Sequence, residues 1–162
     1  MKRLLITLAL LTCLSTGCAK EAKVYLNDQS CLSLMNVTEQ QIPVSYGYAT
    51  MEEELLSEVL SPDLLPSDYC VRYSVLSEDI NEWGIFHASD QAEQKRIEKA
   101  LQRYLRELTE EKRAFIAGYA PRELIKLENA GIRSFGLYTA YAILDEEGQN
   151  AVFDALEQTL CP

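Results

Sequence analysis

The chain has 162 residues, enough for one ordinary domain with its own core and too few for several. An apolar fraction of 48% that includes nine tyrosines is too high for a disordered chain. The formal net charge of −10 argues against nucleic acid as a partner, because a polyanion is bound through clustered cations.

At the N-terminus, Lys2 and Arg3 precede an apolar run from Leu4 to Leu14 and then the small residues Ser15, Thr16 and Gly17, the layout of a secretory signal. The run is about 11 residues, against the roughly 20 needed to cross a bilayer core, and no later stretch is long or apolar enough either. A permanent transmembrane anchor is therefore not expected. The sequence Leu14-Ser15-Thr16-Gly17-Cys18 resembles the lipobox of bacterial lipoproteins, with Ser15 where an aliphatic residue is commoner. That resemblance implies cleavage before Cys18 and a Cys18 carrying a diacylglycerol thioether and a palmitate-type acylated amino group, which together anchor far better than one chain. Ordinary secretion with cleavage near the same site is the alternative. Ala19, rather than Asp, after the cysteine implies sorting to the outer membrane, facing the periplasm, rather than retention in the inner membrane. The expected organisation is a signal peptide over 1–17, the lipidated Cys18 with a short tether over 18–23, and a mostly helical exported domain over 24–162.

With Cys13 lost and Cys18 acylated, the exported part keeps Cys31, Cys70 and Cys161, an odd number for an oxidising compartment. A disulfide between Cys31 and Cys70 is the preferred expectation, with Cys161 as an alternative partner for either. A redox-active thiol lacks a Cys-x-x-Cys motif, although Arg72 lies near Cys70 in sequence.

Asn27 to Val37 is expected as a short helix capped by Asn27, with a strand as the alternative. Thr50-Met51-Glu52-Glu53 reads as a capping box for a helix running to about Leu60, where Ser61-Pro62 stops it. From Tyr69 to Leu76 the alternating Tyr69, Val71, Tyr73 and Val75 suit a strand, while Tyr69, Tyr73, Leu76 and Ile80 suit a helix. The helix is preferred; a β-hairpin around 69–88, pairing this segment with Trp83 to His87, is the alternative.

From Ser89 or Asp90 onward, Ile97, Leu101, Tyr104, Leu105 and Leu108 recur at helical spacing, with Lys95, Arg96, Lys99, Arg103 and Arg106 mostly outside that stripe. This predicts an amphipathic helix. Thr109 followed by Glu110 and Glu111 reads as a fresh start, giving a second, angled helix to Tyr119, and Pro121 suits the first turn of another that Gly131 ends. An apolar segment from Phe135 to Leu144 and a last helix from Glu146 to Leu160, capped by Asp145, complete a largely helical C-terminal half. The fold class expected is therefore mainly α, one small helical domain. Leu108 to Glu111 and Leu144 to Glu147 look alike, but the segments after them do not match, so no repeat is read.

Charge is uneven along the chain. Between Val24 and Gln91 the only basic residue is Arg72, whereas Ala92 to Arg133 is net basic. Opposed faces within one fold account for this, or else the acidic half steers a cationic protein partner.

The only histidine, His87, lies in Trp83-Gly84-Ile85-Phe86-His87, a context of packing rather than catalysis, and it leaves no histidine-built metal site. Carboxylate pairs abound, as in Glu52-Glu53-Glu54 and Glu78-Asp79, but they support a glycosidase reading only at a known separation in space. No phosphate loop, dinucleotide fingerprint or calcium loop is present, so no cofactor and no metal is expected. Tyr46 and Tyr48, in a loop expected over Pro43 to Thr50, are either an anchor for a partner or a cover for the core edge. The function expected is binding of another envelope protein, as an accessory subunit or as an inhibitor or immunity-type protein of a cationic partner. The alternative is a carboxylate-dependent hydrolase acting on envelope polymer.

Overall fold

A computed structural model describes residues 23–42 and 47–162. The signal, Cys18, Ala19 and Tyr46 lie outside the described residues. The fold is mixed α/β, which corrects the mainly α expectation: α1 (Cys31–Glu39), β1 (Tyr48–Thr50), α2 (Glu53–Val59), β2 (Asp68–Ser74), β3 (Glu82–His87), α3 (Gln91–Tyr119), α4 (Leu124–Glu128), β4 (Gly131–Phe135), β5 (Tyr138–Ile143) and α5 (Glu146–Leu160). The strands form one five-stranded sheet in the order β1-β2-β3-β5-β4, every neighbouring pair antiparallel.

Strand alternation divides the core in two. Cys70, Trp83, Ile85, Tyr138, Ala140 and Ala142 point to one face, where α1 and α5 cover them. Val71, Phe86, Tyr141 and Ile143 point to the other, where α2, α3 and α4 pack. The result is a three-layer sandwich with the sheet in the middle.

The segments expected as helices that became strands are explained by this double cover. Residues 69–76 lie mostly in β2, whose register with β3 sets Cys70 opposite Ile85 and Arg72 opposite Trp83, the hairpin that had been the alternative. Every residue of β5 is buried, so Phe135 to Leu144 has no polar face to reveal its period of two, and it folds as a β4–β5 hairpin closed at Gly136. Gly131 begins β4 instead of ending a helix, and α4 is confined to Leu124–Glu128.

The caps follow a similar pattern. Asp145 caps α5 by accepting from the Gly148 amide at 2.8 Å, and Asp90 caps α3 by accepting from Ala92 and Glu93 at 2.7 and 2.8 Å. Ser30, not Asn27, caps α1, and the capping box at Thr50 does not form: Thr50 ends β1 and accepts from Arg72, while Glu52 precedes α2 without a side-chain cap. Thr109 does not start a new helix; its hydroxyl donates to the Leu105 carbonyl at 2.7 Å within an unbroken α3 of 29 residues.

The expected disulfide is also corrected. Cys31, Cys70 and Cys161 are free thiols. Cys31 and Cys70 are buried in the same apolar cluster, but the Cys31 Sγ donates to the Asp68 carbonyl oxygen at 3.4 Å, and Cys161 follows the last turn of α5. Among the described residues no helix is long and apolar enough to cross a membrane.

Candidate functional site

Helix α3 is too long for the sheet it covers. At 1.5 Å per residue its 29 residues span about 43 Å, whereas the six residues of β3 span about 20 Å. Its first half is packed down through Ile97, Ala100, Leu101 and Leu105; beyond Leu105 only Ile116 is buried. The second half overhangs the sheet and is braced by α4, where Arg113 pairs with Glu128 at 2.7 Å. Under the overhang lies a groove of about 630 Å³, within the roughly 300–1,000 Å³ range of ligand pockets. Ile80, Leu108, Ile116, Leu127 and Ile143 form its apolar walls.

Glu82, the first residue of β3, lies at the floor. Its Oε1 accepts from the Tyr141 hydroxyl at 2.6 Å and the Tyr104 hydroxyl at 2.9 Å. Burial pushes its carboxyl above the usual range, and the two phenol hydrogen bonds offset that only in part. Both tyrosine hydroxyls are pushed upward in turn, first by burial and then by the Glu82 charge. No Lys or Arg among the described residues lies within 4.0 Å of Glu82. Its Oε2 has no hydrogen-bond partner there either, and since no buried side-chain polar atom among the described residues is left unpaired, Oε2 is not fully buried.

One side of the groove is tied by Lys126 of α4, whose Nζ donates to Glu123 at 2.7 Å, Asn81 at 2.9 Å and Asp79 at 3.1 Å. Burial lowers the ammonium pKa, but the hydrogen bonds to Glu123 and Asp79 outweigh it and the net shift is upward. Phe115, which lines the groove, and Tyr119 are 68% and 64% exposed, with their rings stacked at a centroid distance of 5.8 Å; on α4, Ile125 is 61% exposed. Exposed aromatics one helical turn apart beside an apolar cleft form a surface that water solvates poorly.

Of the residues singled out from sequence for their chemistry, Asp79 lines the groove, while Tyr48, His87 and the cysteines lie elsewhere. Tyr48 is half-buried in β1, edge-on to Trp83 at 4.7 Å, and accepts from Asn81 at 3.3 Å. His87 lies on the opposite face, stacked on Tyr138 at 4.2 Å with its Nδ1 3.6 Å from Asp68. Cys31 is its neighbour there, but burial, the Asp68 charge and Cys70 all drive the Cys31 thiol strongly upward, the reverse of what a nucleophile needs. No group of three metal-ligating side chains occurs among the described residues.

Glu82 is not among the residues that the sequence points to. The available signal was a carboxylate at the head of the apolar run Trp83 to Phe86; its partners Tyr104 and Tyr141 lie 22 and 59 residues away in the chain. The chain matches no family model, no curated protein and no solved structure.

Proposed function

We propose that the protein is a lipid-anchored envelope protein, held through Cys18 in the outer membrane and facing the periplasm, that binds another envelope protein in the groove beneath α3. The observation that carries this reading is the apolar cleft lined by the exposed Phe115, on whose ring the exposed Tyr119 stacks. Such a surface costs solubility and is retained where it is covered in use. The lipobox resemblance supports the envelope setting. The groove carries Asp79, Glu82 and Glu111 against the single cation Lys112, a net negative lining that favours a basic partner, as an accessory subunit or an inhibitor of a cationic protein would have.

A photo-crosslinking amino acid at position 119 of the full chain, expressed in a bacterial envelope, tests this. The expected result is a crosslink to one envelope protein that Phe115→Ser abolishes and that the same probe at position 154, on exposed α5, does not give. Equal crosslinking from positions 119 and 154, or none from 119, would refute it. Loss of the crosslink at high salt identifies a charge-steered inhibitor, and persistence identifies an accessory subunit with an apolar interface.

One observation favours the alternative of a carboxylate-dependent hydrolase: a carboxyl held above its usual range is the property of a general acid. That mechanism needs a second free carboxylate at a set separation across the cleft: Asp79 is bonded to Lys126 and the Asn81 amide, which leaves the exposed Glu111 of the lining for that role.

A further inference from the structure

We propose that the floor of the groove is a receptor for a single primary ammonium on an aliphatic stem, such as a partner's lysine side chain, with Glu82 Oε2 as its counter-charge. This rests on the reading of the groove as the binding site and assigns the chemistry at its deepest point.

Glu82 is a desolvated acid that no Lys or Arg among the described residues pairs with, although Lys112 also lines the groove. Its two donors are neutral phenols, and both use Oε1; Oε2 has no partner among the described residues and is not fully buried, on a side chain that lines the groove. The nearby ammonium of Lys126 is already committed to Asp79, Asn81 and Glu123. A glutamine would accept from the same two hydroxyls without the cost of a buried charge, so the tyrosines alone do not account for an acid here. Perturbed acids in clefts mark functional sites for this reason.

The walls select the rest of the ligand. Leu108, Ile116, Leu127 and Ile143 offer no hydrogen bonds along their side chains, so they suit methylene groups and not a polar stem. An ammonium presents three donors on a compact head, one for Oε2 and another for the oxygen of Tyr104, a lining residue whose oxygen retains acceptor capacity while its proton points at Oε1. A carboxylate head would meet Glu82 as a like charge.

The test is isothermal titration calorimetry of the full chain with n-hexylamine, n-hexanol and hexanoate, which share one stem and differ in the head. Hexylamine is expected to bind roughly ten- to a hundredfold tighter than hexanol, as a hydrogen bond to a charged group allows, with hexanoate weakest. Glu82→Gln is expected to erase the preference for amine while leaving hexanol affinity unchanged, which also shows that the cavity is intact. Glu147→Gln, exposed on α5 and outside the groove, is expected to keep the preference. Equal binding of hexylamine and hexanol by the wild type, or a preference that survives Glu82→Gln, would overturn the inference. If Glu82→Gln does not fold, Glu82→Asp replaces it and must weaken the preference by drawing the carboxylate back one methylene. Failure of all three ligands to bind overturns the ammonium assignment while leaving the crosslinking at Tyr119 to decide the docking reading by itself.

Discussion

Tyr141 reaches Glu82 by lying across Gly84. The phenol oxygen is 2.6 Å from Glu82 Oε1, and the ring fills the space that a Cβ at Gly84 would claim, 2.5 Å from Cε1. A glycine in the middle of β3 weakens the strand, and here it is what allows one strand's tyrosine to arrive at its neighbour's acid.

Gly84→Ala is therefore expected to destabilise the protein by about 2–3 kcal/mol, because the new methyl meets both the Tyr141 ring and Val71 Cγ2 at 2.9 Å inside a packed core. Urea denaturation measures this. A loss below about 0.5 kcal/mol would mean that the Tyr141 ring has a second resting place.

Glu82→Gln is expected to stabilise the protein at neutral pH. The folded carboxyl is held above its unfolded value, so its contribution is fully present below the unfolded value and is lost as pH rises through the folded one. The variant's advantage should be near zero at about pH 4 and grow to about 1–2 kcal/mol at about pH 7.5. Denaturation midpoints measured across that range decide it; an advantage that does not change with pH would show that Glu82 is not the group responsible.

Lys126→Met keeps the stem and removes the ammonium that joins Asp79, Asn81 and Glu123. Two half-buried carboxylates then lose their shared cation, at an expected cost of about 2 kcal/mol. Because the Lys126 value is raised above its ordinary 10.5, the wild type should hold this advantage unchanged through neutral pH and lose it only as pH climbs past that range. Thermal melts in alkaline buffer are the check, and an advantage already gone at about pH 9 would contradict the sign.

Among the described cysteines, a maleimide is expected to label Cys161 in the native protein while Cys31 and Cys70 react more than about a hundredfold slower, limited by opening of the α1 layer. Burial pushes both of the buried thiols upward, which lowers their thiolate fraction as well as their access. Peptide mapping after timed quenching distinguishes the sites. Comparable labelling of Cys31 would mean that α1 detaches readily from β2.

The helices with a wet face were legible in the sequence. Ile97, Leu101 and Leu105 are buried at helical spacing while Lys99, Arg103 and Arg106 are exposed, and Asp90 and Asp145 cap where their short side chains reach free amides. Thr109 misled because a hydroxyl that would cap a helix start can equally bond back to the preceding turn inside a continuous helix.

What the sequence by itself determined are the properties set by neighbours a few residues apart: the amphipathic stripe of α3, the cap of α5, the acidic balance, and the signal-like N-terminus. The tertiary structure alone decided the sheet and the groove. A strand covered on both faces has no polar side to display its period, so Tyr138–Ile143 looks like any apolar run until its partner strands and both helix layers are in place. In the same way the chemistry of Glu82 depends on a phenol from α3, a phenol from β5 and the lack of a paired cation among the described residues, and burial by residues so distant in the chain is not written in the residues beside it.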